Sequence, residues 1–278
     1  MPARVLMCPP DHYGIEYEIN PWMNRSLGAV RELAFAQWRR LRDTLLSLGA
    51  AVEELAPQPG LPDLVFTANA GLVFGNRFLS SRFKHDVRAR ESPVFDAWFA
   101  AHGFTVEHLP EGMYHEGAGD ALFCGDTLFA GYRTRSAAAA HQWAGQTLGV
   151  RVLPVELVDP RFYHLDTCFC PLAPGEALYF PGAFDDYGRK VLAAHVPKLI
   201  AVGEADAARF GCNAVVVGKT VIHNSRCPDL GRSLSDAGYQ PIEVELDEFL
   251  KAGGSAKCLT LRLDGEEAAG WKRRAAGS

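Results

Sequence analysis

The stretch Asp120-Ala121-Leu122-Phe123-Cys124-Gly125-Asp126-Thr127-Leu128-Phe129 opens on an acid, runs apolar, turns at Gly-Asp and runs apolar again. A Gly-containing two-residue turn between β-rich runs is the strongest short-range hairpin signal. The same order recurs along the chain. Leu72-Val73-Phe74 and Phe78-Leu79 flank Gly75-Asn76, and Ala214-Val215-Val216-Val217 and Val221-Ile222 flank Gly218-Lys219. Thr167-Cys168-Phe169 and Leu178-Tyr179-Phe180 flank a Pro-Gly loop. Residues 258–263 read as a last strand able to pair with Val5-Leu6-Met7.

Helical periodicity fills the gaps. It is clearest over 30–48, with Leu33, Trp38, Leu41, Leu45 and Leu48 as the apolar positions and Gly49 as the stop. Shorter helices are expected over 92–101, 136–148, 186–194 and 229–238. A small polar or reactive residue opens each hairpin: Asn69, Asp120, Asp166, Asn213 and Cys258. The intervals are 51, 46, 47 and 45 residues. A period of roughly 45–50 residues is the mark of a cyclic repeat array. Five units of hairpin, helix and strand would account for the chain; an α/β sandwich with regular loop lengths fits the spacing as well. In the cyclic reading the five opening residues converge on one central, polar, anionic cavity suited to a compact cation.

Composition narrows the classes. The chain has 278 residues, and its 28 basic and 33 acidic residues give a net charge of −5, which argues against a broad nucleic-acid-binding face. No apolar run approaches the roughly 18 residues of a membrane span, and no secretory h-region precedes the first strand. The seven cysteines cannot all pair within one chain. The expectation is a cytoplasmic protein with free thiols. Cys168-x-Cys170 has the wrong spacing for the common zinc motifs. Neither a P-loop, nor Gly-x-Gly-x-x-Gly, nor Gly-x-Ser-x-Gly occurs.

Several positions combine chemistry with unusual backbone. Cys258 follows Gly253-Gly254-Ser255-Ala256-Lys257, where two glycines permit close approach of a ligand. Lys257 stands beside it as a candidate thiolate partner, and core filler is the competing reading of the cysteine. His164 and Asp166 share one face if their segment is a strand. Glu116 and Asp120 flank Gly117-Ala118-Gly119, a run with little packing value that reads as a tight turn carrying acids. Asn20 precedes Pro21 in an apolar segment that reads as buried or as a lid over a pocket. Arg88 and Arg135 are candidates for holding a carboxylate, which matches the guanidinium fork. Cys168, Cys170 and Cys212 fall in or beside strand runs and read as filler.

Taken in order, Phe66-Thr67-Ala68-Asn69, Glu116-Gly117-Ala118-Gly119-Asp120, Gly131 through Arg135-Ser136, His164-Leu165-Asp166-Thr167 and Gly253 through Cys258 resemble the guanidino-group-modifying enzymes. These include arginine deiminase, arginine dihydrolase, dimethylarginine dimethylaminohydrolase and the amidinotransferases. The resemblance covers nearly the whole chain. It implies one domain over 1–278, a five-bladed α/β-propeller of the pentein type, with 265–278 as a frayed tail or short terminal helix. It implies Cys258 as nucleophile, His164 as general acid and base, and Glu116 as the group orienting His164 or the substrate. Asp166 and Asp120 would face the guanidinium, with Arg88 and Arg135 on the α-carboxylate; Asn69, Asn20 and Phe66 complete the substrate site.

The implied partner is a small guanidino substrate, without metal, organic cofactor, nucleic acid or membrane; homo-oligomer formation stays open. Two departures stand out. Asn69 is a neutral amide where deiminases carry an acid, and Glu116 to Asp120 is one residue longer than the deiminase Glu-Gly-Gly-Asp. A neutral amide tolerates a ureido group, so the expected activity is arginine dihydrolase or a deiminase close to it. The segment 7–23 is similar to the dihydrolases too. Dimethylarginine dimethylaminohydrolase is the main alternative. Amidinotransferase and a non-catalytic binder of cationic amino acids rank below it.

Overall fold

The hairpins expected from the Gly turns form, and each gains a third strand. The computed structural model describes residues 2–272. Strand β1 (Arg4–Met7) pairs in parallel with β2 (Ala51–Glu54). Then β3 (Gly71–Phe74), β4 (Arg77–Ser80) and β5 (Thr105–Glu107) make one sheet. The next comprises β6 (Ala121–Cys124), β7 (Thr127–Tyr132) and β8 (Arg151–Glu156), followed by β9 (Phe169–Ala173), β10 (Glu176–Tyr179) and β11 (Lys198–Ala201). The series continues with β12 (Val215–Val217), β13 (Thr220–Asn224) and β14 (Gln240–Val244). Finally β15 (Leu261–Arg262) returns antiparallel onto β1, with Val5 opposite Arg262. The described residues thus hold five three-stranded sheets, and the first is closed by the last strand.

In each unit the hairpin is antiparallel and a helix carries the chain to a strand parallel to the middle one. The helices are Arg31–Ser47, Ser92–Ala101, Ala138–Leu148, Asp186–His195 and Pro228–Asp236. Burial grades across each sheet: β6 is buried throughout, whereas β2 and β11 are exposed at both ends. First strands therefore face the axis and third strands the rim. The turn glycines Gly75, Gly125 and Gly218 have φ of 61°, 64° and 60°, the left-handed region these hairpin turns require.

Two details of the expected elements change. In helix Arg31–Ser47 the buried stripe is Ala34, Trp38, Leu41 and Leu45, while Leu33 is half exposed. Steps of four, three and four keep one face of a 3.6-residue helix, and the step of five from Leu33 to Trp38 does not. The last strand is two residues long: Cys258 sits in a turn, with Leu259 N donating to Ser255 O (3.2 Å). Of the segment expected to fray or to form a short terminal helix, residues 265–272 are packed. Gly125 N donates to Ala268 O (2.8 Å), Gly270 N to Gly125 O (2.7 Å), and Ala268, Ala269 and Trp271 are buried. Residues 273–278 lie outside the described part.

The unit openings form a closed ring of hydrogen bonds. Asn69 Nδ2 donates to Glu116 O (3.5 Å), Leu165 N to Asp120 Oδ1 (3.1 Å) and Asn213 Nδ2 to Asp166 O (3.1 Å). Cys258 N donates to Asn213 Oδ1 (3.1 Å), and Ala68 N to Cys258 O (3.1 Å) closes the circle. Every repeat therefore fixes its neighbour where the five meet.

Candidate active site

The glycines before Cys258 are required by packing. A Cβ on Gly254 would lie 2.3 Å from Phe66 Cε1. One on Gly253 (φ 81°) would lie 2.9 Å from both Asn20 Oδ1 and Tyr163 Oη. The bare backbone lets Phe66, Asn20 and Tyr163 close around the turn that presents the thiol. Tyr163 Oη donates to Gly253 O (2.6 Å) and Asn20 Nδ2 to Ala252 O (3.0 Å). Asn20 Oδ1 also accepts from the backbone N–H of Trp22 (2.9 Å) and Met23 (3.2 Å), which folds this segment over the site.

Beneath it lies a small, largely closed cavity. Cys258, Phe66, Asn69, Asn20, Arg88 and Arg135 all line it, as do Asp63 and Tyr163. Glu116, His164 and Asp166 form the buried polar layer joined to that lining.

Glu116 is the hub of this layer. Its Oε2 accepts from His164 Nε2 (2.8 Å) and Arg135 Nη1 (2.9 Å), and Oε1 accepts from Lys84 N (3.1 Å). Burial alone would raise this carboxyl. Arg135 and the hydrogen bond from His164 more than reverse that and hold it below the usual carboxylate range. Arg135 Nη2 donates to Ile19 O (2.9 Å), and its guanidinium stacks 4.7 Å over the Tyr163 ring. A carboxylate only accepts, so the His164 proton is on Nε2, leaving Nδ1 buried and unpaired. Burial pushes His164 down to about 4, against the pull of Glu116.

The thiol sits between two groups. Cys258 Sγ donates to Asp166 Oδ2 (3.4 Å) and accepts from Asn213 Nδ2 (3.1 Å). Burial, then Asp166, raises the thiol well above its ordinary range. Burial also pushes Asp166 up to about 7, offset in part by Lys257. Lys257 itself turns away, its Nζ on Glu266 Oε1 (2.8 Å), so it is not a direct thiolate partner. His164 and Asp166 do not lie on a strand. Leu165 N is taken by Asp120, and residues Leu165–Thr167 form a 3-10 turn that aims His164 at Glu116 and Asp166 at Cys258.

Asp120 does not line the cavity. Its oxygens accept from Leu165 N and from Ser136 Oγ (2.6 Å), so it braces the turn. The tight turn it follows is needed: a Cβ on Gly119 would lie 2.3 Å from Asn69 Nδ2. Arg88 is largely committed within the protein. Its Nε and Nη2 donate to Glu91 (2.8 and 2.7 Å), and Nη1 donates to Asn69 Oδ1 (2.9 Å).

Two residues of the site, Asp63 and Glu91, were not among the expected ones, and Asn213 was expected only as the opener of a hairpin, with no role attached. Asp63, with Oδ1 buried and unpaired, is the lone acid in the apolar run 61–66. That isolation was its signal. Glu91 stands three residues after Arg88, an ion-pair spacing on a helix. Asn213 opens a repeat unit. All seven cysteines are free and buried, so burial does not single out Cys258; its partners do.

No family model matches the chain. The N(G),N(G)-dimethylarginine dimethylaminohydrolase of Mycobacterium tuberculosis is 40% identical over 263 residues, covering 94% of this chain and 85% of that protein. The chain belongs to the dimethylarginine dimethylaminohydrolase family. Two bifunctional relatives in this broader group are more similar in sequence. The arginine dihydrolase/ornithine cyclodeaminase AgrE of Nostoc sp. is 50% identical over 265 residues, and ArgZ of Synechocystis sp. 49% over the same length. The chain covers only 38% and 37% of those two proteins.

Among solved structures, the N-terminal domain of ArgZ superposes with a TM-score of 0.92 at 47% identity, covering 95% of this chain and 99% of that one. That structure is an asparagine-to-serine mutant covalently bonded to a reaction intermediate. A cysteine-to-serine mutant of the same domain holds substrate. A dimethylarginine dimethylaminohydrolase adduct with S-methyl-L-thiocitrulline shares the fold at 19% identity, with a TM-score of 0.81. The five-bladed α/β architecture is thus that of the dimethylarginine dimethylaminohydrolase fold.

Proposed function

We propose that this chain is a cysteine-dependent arginine dihydrolase, converting arginine and two waters to ornithine, two ammonia and carbon dioxide. The observation that carries the reading is Asn69. It lines the nucleophile's cavity as a neutral amide whose Oδ1 is held by Arg88, so no carboxylate stands there. The similarity to ArgZ and AgrE supports it.

In this reading Arg135 and Arg88 hold the α-carboxylate, Asp63 the α-ammonium and Asp166 the guanidinium. A guanidinium carbon is a weak electrophile, so a thiolate is needed. The incoming cation favours the charged forms of Asp166 and Cys258, which burial otherwise opposes. Sulfur attacks the carbon, a C–S bond forms, and the electron pair of C=N moves to nitrogen. The proton that Cys258 gives up passes to His164 Nδ1, the ring nitrogen left unpaired, and the imidazolium so formed gives it to the leaving nitrogen; the C–N bond breaks and ammonia departs. A thiouronium-like S-amidino adduct remains. His164 then takes a proton from water, whose oxygen adds to the carbon. Collapse expels the thiolate and leaves citrulline. The neutral site retains the ureido group, sulfur attacks again and a second ammonia leaves. Hydrolysis of that adduct gives a carbamate, which loses carbon dioxide to leave ornithine.

The 40% identity to the Mycobacterium tuberculosis protein favours a second reading, dimethylarginine hydrolysis to citrulline and dimethylamine. One assay separates the two. The protein is incubated with arginine, citrulline and dimethylarginine, and products are identified by mass spectrometry. Ornithine with two ammonia per arginine supports the dihydrolase. Dimethylamine supports the second reading, and citrulline alone supports a deiminase. Free buried thiols fit a reducing, cytoplasmic setting. Among the described residues no helix is long and apolar enough to cross a membrane. Homo-oligomer formation remains an expectation that light scattering would read.

A further inference from the structure

Asn213 opens the fourth hairpin, and no step above uses it. It is fully buried, and its amide clasps Cys258 at two points. Oδ1 accepts from Cys258 N (3.1 Å), and Nδ2 donates to Cys258 Sγ (3.1 Å) and to Asp166 O (3.1 Å). The orientation follows from the neighbours. A reversed amide would set its oxygen against the Asp166 carbonyl and leave Cys258 N facing a second donor. One amide hydrogen is therefore committed to a carbonyl and the other to sulfur. Lys257 N donates to Asn213 O (3.2 Å), which ties this backbone to the nucleophile's turn.

Sulfur thus has an acceptor on one side, Asp166 Oδ2, and a donor on the other. The acceptor favours the thiol and the donor favours the thiolate. Lys257, adjacent in sequence, is engaged by Glu266 instead. We propose that Asn213 is a catalytic residue, the fixed hydrogen-bond donor that stabilises the Cys258 thiolate when it forms for attack and when hydrolysis expels it. An amide does this without a positive charge, which would repel the guanidinium beside it. The donor needs no reorganisation, since its other contacts already hold it in place. In two successive hydrolyses it serves each attack and each expulsion.

The inference rests on Cys258 being the nucleophile. The test is Asn213→Asp, which keeps the shape and the acceptor for Cys258 N and removes the amide donor. Alkylation of Cys258 by iodoacetamide is followed against pH on the tryptic peptide 258–262, which contains no other cysteine. The inflection should move up by about one pH unit or more, and kcat on arginine should fall about ten- to a hundredfold, with KM little changed. Asn213→Ser, which adds no charge, should shift both in the same direction and is decisive if the first variant is unfolded by circular dichroism. A wild-type alkylation profile together with wild-type kcat overturns the inference. Cys258→Ser separates the two claims. If it keeps turnover, the nucleophile reading falls; if it is inactive while the folded Asn213 variants behave as wild type, only the role of Asn213 falls.

Discussion

His164 donates Nε2–H to Glu116 Oε2 at 2.8 Å, and this one bond fixes which ring nitrogen is left for chemistry. The same oxygen accepts from Arg135, so the base, its orienting acid and a carboxylate-binding arginine form one unit. Glu116→Gln replaces the shared acceptor by a group that can present an N–H to His164. Steady-state kinetics should show kcat reduced by about a hundredfold or more, the range of a misaligned general acid and base. A variant with wild-type kcat would remove Glu116 from the mechanism.

Asn69→Asp adds a carboxylate beside the bound ureido group. The second hydrolysis should stop, with citrulline accumulating from arginine and ornithine absent by mass spectrometry. Unchanged ornithine yield would show that the neutral amide does not decide one step against two.

Asp120 braces the turn rather than touching the cavity. Asp120→Ala leaves Leu165 N–H and Ser136 O–H without their buried acceptor, at about 1–3 kcal/mol for each unpaired group. Thermal unfolding should report a marked loss of stability. The KM for arginine on the folded fraction should stay near wild type; a selective rise in KM would return Asp120 to the substrate site.

Gly254→Ala places a methyl group 2.3 Å from the Phe66 ring. Overpacking of this kind costs about 1–3 kcal/mol. The turn that carries Cys258 must shift to relieve it, so activity should fall more than stability predicts. Phe66→Leu in the same chain, which makes room, should recover part of kcat.

Burial pushes His141 down to about 4. Between about pH 6.5 and 4 the unfolded chain binds a proton there that the folded chain does not, so this contribution to stability is lost as pH falls through that window. His141→Gln keeps a donor for Gly131 O, which His141 Nε2 reaches at 2.7 Å, but cannot titrate. Relative to wild type the variant should gain on the order of 1 kcal/mol per pH unit on acidification, read by denaturant unfolding at several pH values. A pH-independent difference would refute a buried neutral imidazole.

The hairpins, the repeat period and the residues opening each unit were legible in the chain because each depends on local geometry. Glycine turns need a positive φ, and alternating apolar runs need a pleated, buried surface. The same period brings Asn69, Asp120, Asp166, Asn213 and Cys258 to one axis. Which of the five face ligand and which hold the ring together was a different matter. Asp120 and Asp166 are both acids opening hairpins, yet one is consumed by Ser136 and Leu165 and the other meets the thiol. Asp63 joins the site from an apolar run, and Lys257 leaves it for Glu266. Those choices depend on partners 16 to 92 residues away, or on the direction a side chain takes once the sheets close. No local pattern encodes such directions, because they are set by which buried donors and acceptors remain to be satisfied when the ring is complete.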